Sequence, residues 1–397
     1  MIFELIGIGN KRYEPTEEVQ ALISVGRVFS GGKRHLELVR HLLPQGFHWI
    51  PVKSPMEEVY AAYDKHFACQ EQGSIVVFAS GDPLFYGIGG TLKARYPSAK
   101  IYIAPCLSAI QLLVRRTGID SSKLQTVSIH GRSWAALDTV IISQEPLIGV
   151  LTDVGKSPGA LAARLLDYGY DNYTLWVGED LEGPAERVRC LSLAEASGAI
   201  FHSLNCVILQ KTYHRKIPFG LPDHLFAGLE GRPNMITKMP VRLCTLHALE
   251  LESASVLWDI GFCTGSLSIE ARLRFPALGV YAFERRRECL NLMKQNVRQF
   301  GAPGINARTG DFFDEDLSLF PRPQSVFIGG HGGRLPELIP FIDVYLEPGA
   351  VIVLNAVQES SVTQFILAAS KAGWKIQEPL KLSIDAHNEI TIMKAIK

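Results

Sequence analysis

The stretch Val256-Leu-Trp-Asp259-Ile-Gly261-Phe-Cys263-Thr-Gly265-Ser-Leu-Ser-Ile-Glu270 decides the fold of the C-terminal half of the chain. A short apolar run leads into a glycine turn, and the turn leads into a helical pattern, which is typical of a buried strand followed by a helix. In an open parallel sheet such a turn lies at the carboxyl edge, where ligands bind. Gly261 and Gly265 allow the backbone to approach a ligand closely, and the helix N-terminus offers unpaired N–H groups to a carboxylate. The stretch therefore predicts a ligand-binding turn in an α/β domain.

Two acidic residues downstream fit a ligand that contains a nucleoside. Glu284 ends the next strand, where a carboxylate can accept hydrogen bonds from both hydroxyls of a ribose. Asp311 and Phe312 follow the weak third strand, where they can flank an adenine ring, with Asp311 accepting from the amino group. The rival interpretation is a nicotinamide dehydrogenase, but the G-x-G-x-x-G fingerprint needs a glycine where Cys263 stands, so that pyrophosphate can touch the backbone. The sequence therefore favours S-adenosylmethionine, which has no pyrophosphate.

The fourth strand of this half runs into Phe327-Ile-Gly329-Gly330-His331-Gly332-Gly333-Arg334. Four glycines around one histidine allow the backbone to lie against a flat substrate, with His331 and Arg334 facing the reacting end of the cofactor. His331 is the candidate catalytic acid or base, and the alternative is a flexible turn with a solvated histidine. Asn355, at the end of the next strand, is a further candidate for the pocket.

The whole chain, with 397 residues, is long enough for two domains. Short β-branched runs alternate with helical patterns in both halves, which predicts α/β architecture throughout. The alternation stops around Tyr213 to Pro233, where prolines and glycines break any regular element. We therefore expect a domain at 1–212, a linker at 213–235 and a second domain at 236–397, closed by two antiparallel strands within Lys381 to Ile396.

A second ligand site is predicted in the first half. The strand Ile75 to Ala79 leads into Ser80-Gly81-Asp82-Pro83, and the next strand ends before Ser108, which opens a helix. Asp82 and Pro83 also suit an ordinary tight turn. Two such turns at one sheet edge nevertheless outline a cleft, with free helix N–H groups beside it. Further polar candidates stand at later strand ends: His130-Gly131-Arg132, Thr152-Asp153, Glu179 and Glu186-Arg187.

Composition excludes several functional classes. Lys+Arg and Asp+Glu are equal at 40 each, so no net charge would attract a nucleic acid or an anionic membrane. The 7 cysteines form no C-x-x-C pair, which indicates reduced thiols rather than disulfides or a zinc site. No secretion signal is visible, and the apolar runs are shorter than the ~20 residues that a bilayer requires. We expect a cytoplasmic protein without a nucleic-acid or membrane partner; the oligomeric state, a homo-oligomer included, stays open.

Motifs in both halves carry a resemblance that covers almost the full length. The chain resembles the family of fused precorrin-6Y C5,15-methyltransferases (decarboxylating) of cobalamin biosynthesis, with a tetrapyrrole methylase domain followed by a Rossmann-like class I methyltransferase domain. The first half is similar through Gly7-Ile8-Gly9, Gly81-Asp82-Pro83-Leu84-Phe85-Tyr86-Gly87, Ser128-Ile-His130-Gly131-Arg132 and Thr152-Asp153. The second half is similar through Ile236-Thr237-Lys238, Val241-Arg242, Trp258-Asp259-Ile-Gly261 and Phe327-Ile-Gly-Gly330.

This resemblance implies an activity. Members methylate two meso carbons of a corrin-type tetrapyrrole, at positions 5 and 15, and remove carbon dioxide from an acetate side chain. One methylation is ascribed to the N-terminal domain, and the other, with the decarboxylation, to the C-terminal domain. No metal is required, and the sequence leaves open whether the substrate already contains cobalt.

The resemblance also implies one S-adenosylmethionine site in each domain. The residues predicted for the cofactor are Gly9, Gly81, Asp82, Pro83, Ser108 and Thr152 in the first half, and Thr237, Asp259, Gly261, Phe262, Cys263, Thr264, Gly265, Glu284, Asp311 and Phe312 in the second. Cationic candidates for the substrate carboxylates are Arg132, Arg187, Lys238, Arg242 and Arg334.

The chain departs from the family pattern at several positions, and two other functions stay open. Asn10-Lys11 replaces proline-glycine, Cys106 and Cys263 replace glycines, and Pro240 replaces a glutamate. One alternative is a methyltransferase that acts on RNA or a small metabolite, although the neutral charge and the absence of an Asn-Pro-Pro-Tyr-type motif disfavour RNA. The other is a non-catalytic sensor that binds S-adenosylmethionine or a corrinoid.

Overall fold

The computed structural model describes residues 1–69, 73–232, 235–384 and 389–397. The chain forms two compact units that are interleaved along the sequence. The first unit contains Met1–Arg132, Pro146–Ala163 and Tyr173–Gln210, and the second contains Ser133–Glu145, Arg164–Asn172 and Lys211–Lys397. The expected linker, apart from Pro233 and Asn234, which lie outside the described residues, belongs to the second unit.

The first unit is built on two five-stranded sheets. The strands of one sheet are parallel, in the order β3-β2-β4-β1-β5; they are β1 (Ile2–Ile8), β2 (Val28–Gly31), β3 (His48–Pro51), β4 (Ser74–Ser80) and β5 (Lys100–Ala104). The other sheet has the order β6-β7-β10-β8-β9; its strands are β6 (Leu124–Ser128), β7 (Leu147–Leu151), β8 (Tyr173–Glu179), β9 (Arg187–Ser192) and β10 (Asn205–Lys211).

The second unit contains an eight-stranded sheet with the order β13-β12-β11-β14-β15-β18-β16, and β17 pairs with β18. Its strands are β11 (Val256–Ile260), β12 (Gly279–Glu284), β13 (Ile305–Thr309), β14 (Ser325–Ile328), β15 (Val351–Ala356), β16 (Lys375–Ile376), β17 (Leu380–Leu382) and β18 (Ile390–Ile396). The first five are parallel, and β18 runs antiparallel to its neighbours. Strand order reverses beside β11, which is where ligands bind in doubly wound folds.

Helices fill the crossovers of both units. They are α1 (Glu17–Val25), α2 (Lys33–Val39), α3 (Glu57–Cys69), α4 (Ile88–Arg95), α5 (Ala109–Thr117), α6 (Ala135–Ile142), α7 (Pro158–Asp167), α8 (Leu193–Ser197), α9 (Met239–Ala248), α10 (Ser266–Arg274), α11 (Cys289–Phe300), α12 (Leu335–Asp343) and α13 (Glu359–Lys371). Short 3₁₀ turns occupy Arg40–Leu42, Asp223–Leu225, Leu251–Ser253, Phe312–Asp314 and Leu317–Leu319. Among the described residues, no helix is both long and apolar enough to cross a bilayer.

Local sequence explains where the elements that frame the sites begin. Ser108 caps α5: its hydroxyl accepts a hydrogen bond from the backbone N–H of Gln111, and its own backbone N–H donates to the side-chain oxygen of Gln111. β11 is buried at every position and packs Trp258 into the core between β11, β14 and α12. The α/β prediction is confirmed, and so is the antiparallel closure by β17 and β18.

Candidate active sites

A cavity of about 380 Å³ opens at the carboxyl edge of the sheet in the second unit. The predicted residues that line it are Thr237, Lys238, Asp259, Gly261, Phe262, Cys263, Thr264 and Asn355. It is formed by the turn after β11, the start of α10 and the end of β15. The structure therefore brings together residues that lie more than a hundred positions apart in the chain.

The turn after β11 can only be built with glycine at its start. Gly261 has a φ of +87°, and a Cβ atom there would lie 2.5 Å from the backbone nitrogen of Gly330. The turns that follow β11 and β14 therefore contact each other directly. Gly265, with a φ of +76°, precedes the first residue of α10. Because Gly261 has no side chain, its backbone can be approached closely by a ligand in the cavity, as the sequence predicted.

Asp259 supplies an acceptor that the protein itself does not satisfy. Its side chain is buried, and Oδ2 accepts a hydrogen bond of 2.5 Å from the Ser268 hydroxyl. Oδ1 is buried without a hydrogen-bond partner among the described residues. Burial raises the pKa of Asp259 to about 7, with Ser268 opposing that rise. An orphaned carboxylate oxygen in the wall of a cavity is a site for a ligand donor such as an ammonium group.

Glu284 lies at the end of β12, where the sequence predicted a ribose acceptor. Its carboxylate is buried and accepts from the backbone N–H of Cys263 at 3.0 Å. Arg286, which sequence analysis did not single out, forms a fork on both oxygens of Glu284, at 3.0 Å each. The three consecutive arginines at 285–287 were a visible signal, but their spacing does not indicate which one turns inward.

A neighbouring cavity of about 540 Å³ holds the other predicted contacts of the second unit: Glu284, Asp311, Phe312, His331 and Arg334. Gly261, Arg286 and Gly330 line both cavities. Phe312 is buried against Phe283, with ring centroids 5.0 Å apart. Asp311 is ion-paired with Arg334 at 3.2 Å.

His331 and Arg334 line the 540 Å³ cavity, together with the residues predicted to bind adenine and ribose. His331 Nε2 is 3.2 Å from the hydroxyl of Ser361, and its Nδ1 is buried without a partner among the described residues. Burial lowers the pKa of His331, so its neutral form is favoured. Arg334 also pairs with Glu337 at 2.8 Å and lies 3.7 Å from the centroid of the Phe313 ring.

The prediction that Arg242 contacts substrate is wrong. Its side chain is completely buried and pairs with Glu270 at 2.6 Å and with Asp223 at 3.0 Å. It also donates to the carbonyl oxygens of Thr237 and Leu221. The guanidinium thus holds α9, α10 and the Pro/Gly-rich segment together, because a buried charge must be paired. Lys238, by contrast, lines the 380 Å³ cavity.

The first unit contains a cavity of similar size, about 390 Å³. The predicted residues that line it are Gly9, Gly81, Asp82, Ser108, Thr152, His130 and Arg132. They come from the ends of β1, β4 and β5 in one sheet and of β6 and β7 in the other. Pro83 is not among the lining residues; its carbonyl oxygen accepts from the N–H of Gly89 at the start of α4.

The loop after β4 supports this cavity through its backbone. Gly81 has a φ of +62°, and a Cβ atom there would lie 3.1 Å from the Cα of Ser108. Asp82 accepts from the backbone N–H of Leu84 at 2.8 Å, so its carboxylate shapes the turn in addition to lining the cavity. The two turns after β4 and β5 therefore form one wall, as expected.

In the cavity of the first unit, the opposite wall is polar. Thr152 donates to the side-chain oxygen of Asn205 at 2.5 Å, and His130 Nδ1 lies 2.8 Å from the Thr152 carbonyl. The backbone N–H groups of Gly131 and Lys156 hold the pKa of Asp153 at about 2. These bonds fix the loops that carry His130 and Arg132.

One predicted substrate contact is absent from this cavity and one residue was missed. Arg187 is exposed at the start of β9 and does not line the cavity, which corrects its assignment as a substrate contact. β9 is an outer strand of its sheet, and Arg187 pairs in register with Glu179 of β8, which does not line the cavity either. Arg34, on α2, lines the cavity and donates to Asn10 at 2.6 Å and to Ser80 at 2.7 Å. Its helix gives no motif, so the sequence provided no signal for it.

The two halves match the profiles of two known families. Residues 6–197 match Tetrapyrrole (Corrin/Porphyrin) Methylases, and residues 231–395 match Precorrin methyltransferase domain. A precorrin-6Y C(5,15)-methyltransferase [decarboxylating] from Sinorhizobium sp is 34% identical over 364 residues, which are 89% of this chain and 84% of that protein. The chain belongs to the precorrin-6Y C(5,15)-methyltransferase (decarboxylating) family.

Two shorter relatives are also similar to this chain. A cobalt-precorrin-6B C(15)-methyltransferase (decarboxylating) from Salmonella typhimurium is 37% identical over 142 residues, 36% of this chain and 71% of that protein. A cobalt-precorrin-7 C(5)-methyltransferase from the same organism is 28% identical over 206 residues, 52% of this chain and 96% of that protein.

As a member of the precorrin-6Y C(5,15)-methyltransferase family, the chain is a methyltransferase, and its residues fit the cofactor of that chemistry. In the second unit, two features fit the methionine moiety: the glycine turn allows close approach of its carboxylate to the backbone, and the unpaired oxygen of Asp259 can accept from its ammonium group. In the first unit, the turn at Gly81 lies against the capped start of α5. Of the two cysteines that depart from the family pattern, Cys263 has a φ of +48° and lines the cavity of the second unit, whereas Cys106 is not among the residues that line the cavity of the first.

Proposed function

We propose that the chain binds S-adenosylmethionine at two sites, one in each unit, and methylates a precorrin-6Y-type tetrapyrrole at carbons 5 and 15 with loss of an acetate carboxyl group. The observation that carries this proposal is the pair of cavities, about 390 and 380 Å³, at the carboxyl edges of the sheets. Each lies in the half of the chain that matches one of the two methyltransferase profiles.

The cofactor would supply an activated methyl group on a sulfonium. In the second unit, the Gly261–Gly265 turn and Asp259 would hold its methionine end, and Glu284, Asp311 and Phe312 its adenosine end. In the first unit, the loops at Gly81–Asp82 and Ser108 with Thr152 would hold it. A conjugated tetrapyrrole carbon is already nucleophilic, so alignment and exclusion of water can provide most of the acceleration.

The carboxylates of the tetrapyrrole would bind to cationic side chains beside each cavity. Lys238 lines the cavity of the second unit, and Arg132 and Arg34 line that of the first. The hydrogen bonds that Arg34 donates to Asn10 and Ser80 go to neutral oxygens. A carboxylate of the substrate would form a stronger hydrogen bond with the Arg34 guanidinium than these neutral groups do.

We assign the methylation at carbon 5 to the first unit, and the methylation at carbon 15 with decarboxylation to the second. The names of the two Salmonella typhimurium relatives support this division, because the two activities reside there in separate proteins.

A methyl-transfer assay tests the reaction. The purified chain is incubated with precorrin-6Y and S-adenosylmethionine, and mass analysis follows methyl count and carbon dioxide loss separately. We expect two added methyl groups and one lost carboxyl group. Binding of the tetrapyrrole without any turnover would favour the sensor function instead.

Calorimetric titration with S-adenosylhomocysteine tests the two sites. We expect two molecules per chain, with Glu284→Ala removing only one site and Asp82→Ala weakening only the other, because the two side chains lie in different units. A single site in fully folded protein would eliminate one unit from the proposal.

A further inference from the structure

Glu284 has no acceptor position left for a ribose in this structure. An ionised carboxylate has about four lone-pair positions on its two oxygens. Oε2 accepts from the backbone N–H of Cys263 and from Nη2 of Arg286, at 3.0 Å each. Oε1 accepts from the backbone N–H of Arg286 at 3.1 Å and from its Nε at 3.0 Å. Two donors thus come from the backbone and two from one guanidinium.

The backbone donors and the side-chain donors differ in how easily they can leave. The N–H groups of Cys263 and Arg286 are part of the turns that form the cavity, so they stay where the fold places them. The guanidinium is attached through a long side chain that is 30% exposed, compared with 4% for Glu284. Among the described residues, the hydrogen bond recorded for its remaining nitrogen, Nη1, goes to the sulfur of Met235 at 3.2 Å, which is a weak acceptor. Removing the guanidinium would leave two acceptor positions on Glu284, one for each hydroxyl of a ribose.

The position of Arg286 places it in the path of the ligand. It lines both the cavity with Asp259 and Lys238 and the cavity with Asp311 and Phe312. A ligand with its methionine end in the cavity with Asp259 and its adenine in the cavity with Phe312 must pass the Arg286 side chain.

We propose that Arg286 is an internal competitor for the ribose-binding carboxylate, which the cofactor must displace through its two hydroxyls. Arg286 then determines specificity, because only a ligand with a ribose diol replaces both bonds that the guanidinium gives up. A ligand without the diol leaves the Glu284–Arg286 pair intact and gains nothing from Glu284. This inference rests on the proposed cofactor site of the second unit.

The test compares the full-length chain with Arg286→Ala and with Arg287→Ala, the exposed neighbour that lines none of the cavities described above. The probe is S-adenosylhomocysteine in calorimetry, and the site of the second unit is the one that Glu284→Ala removes. Arg286→Ala should tighten this site by about threefold to tenfold, since the ligand no longer has to break a partly exposed ion pair. Arg287→Ala should leave it unchanged.

A 2′,3′-dideoxy analogue of S-adenosylhomocysteine makes the test specific for the diol. Its affinity for the second unit should be the same in the wild type and in Arg286→Ala. Arg286→Gln serves as a second variant if alanine lowers the thermal unfolding temperature, and it should tighten S-adenosylhomocysteine binding in the same direction.

The outcomes separate this inference from the proposed function. Unchanged or weaker S-adenosylhomocysteine binding by Arg286→Ala, with the Glu284-dependent site intact, would show that Arg286 orients Glu284 and would overturn the inference alone. Equal tightening for the dideoxy analogue would also overturn it. If the Glu284→Ala variant binds as many S-adenosylhomocysteine molecules as the wild type, the proposed cofactor site itself is contradicted.

Discussion

At the scale of single residues, His331 is the candidate for proton transfer. Its buried Nδ1 has no partner among the described residues, and its pKa is lowered by burial, so a neutral imidazole is available as a base. We expect His331→Ala to leave S-adenosylhomocysteine affinity nearly unchanged and to slow product formation by about 10²-fold or more, the usual scale for a lost acid or base. Rates of methylation and of carbon dioxide release are measured separately at saturating cofactor.

His331 lines the same cavity as Glu284 and Phe312, so the His331→Ala variant could also affect cofactor binding. A loss of affinity with normal turnover at saturation would make His331 a cofactor contact. Ser361→Ala is the control, because it removes only the hydroxyl 3.2 Å from Nε2. Normal rates and affinity together would leave His331 as a turn residue.

His35 gives a prediction about pH and stability. Burial, and next the neighbouring charge of Arg34, lower the pKa of His35 to about 4. Its Nδ1 accepts from the backbone N–H of Gly32 at 3.1 Å, a bond that a protonated ring cannot accept. The unfolded chain, with a histidine pKa near 6.5, binds this proton more readily than the folded one, so stability falls as pH drops from about 6.5 to about 4.

Thermal unfolding across this pH range checks the effect of His35. The unfolding temperature of His35→Gln should fall less steeply between pH 6.5 and 4 than that of the wild type. His41→Gln, at an exposed histidine nearby in the chain, should retain the wild-type slope. Parallel curves for all three proteins would show that His35 does not titrate on unfolding.

At the scale of structural elements, the turn after β11 depends on the absence of a side chain at Gly261. A Cβ atom there would lie 2.5 Å from the nitrogen of Gly330, so both turns would have to move. We expect Gly261→Ala to abolish S-adenosylhomocysteine binding in the second unit and leave that of the first intact. Calorimetry on folded protein gives the number of sites.

Gly332 is the matched control for this turn. It also has a positive φ, +57°, but a Cβ atom there meets nothing within 4 Å. Gly332→Ala should therefore cost only the ~1–2 kcal/mol of a left-handed conformation and retain both sites. Equal loss of binding in the two variants would indicate that backbone strain, not the close approach, is responsible.

Arg242 connects α9, α10 and the segment before them. Replacing it with methionine would leave the buried carboxylate of Glu270 without its cation, although the N–H groups of Gly220 and Leu221 would still donate to it. We expect a loss of about 3–5 kcal/mol in the free energy of unfolding of the second unit, measured by urea denaturation. Lys294→Met, on the exposed side of α11, should change it by less than about 0.5 kcal/mol.

At the scale of the whole molecule, the second unit includes two segments from the N-terminal half of the chain. Segments Ser133–Glu145 and Arg164–Asn172 belong to the second unit although they lie within the predicted first domain. In the second unit, Tyr170 donates to the carbonyl of Gly301 at 2.6 Å, and Gln144 donates to that of Arg215 at 2.7 Å. A single cut in the chain therefore cannot separate the units cleanly.

Expressing residues 213–397 alone tests this arrangement. We still expect the piece to fold, because it retains its eight-stranded sheet, but to unfold at a lower temperature than the second unit of the full chain, since each lost hydrogen bond contributes about 1 kcal/mol. In the full chain, Tyr170→Phe should cost about 1 kcal/mol by itself. An isolated piece as stable as the full chain would mean that the two segments add nothing to the second unit.

Local sequence patterns were sufficient for most of the architecture and for the turns of both sites. α10 begins at Ser266, directly after the glycine turn that predicted a helix start, because a glycine in a left-handed conformation before a helical pattern is a local signal. Gly261, Gly81 and Glu284 stand at strand ends, and strand ends in a parallel sheet share one edge whatever the rest of the fold does.

The partners of charged side chains were decided only by the tertiary structure. Arg242 and Lys238 are both cations near the start of α9, yet one is buried between Glu270 and Asp223 and the other lines a cavity. Arg286 reaches Glu284 while Arg287 is exposed, and Arg34 enters a cavity from a helix without a motif. A sequence specifies the charge at each position, but the free energy of that charge depends on its burial and on neighbours that packing brings from distant parts of the chain.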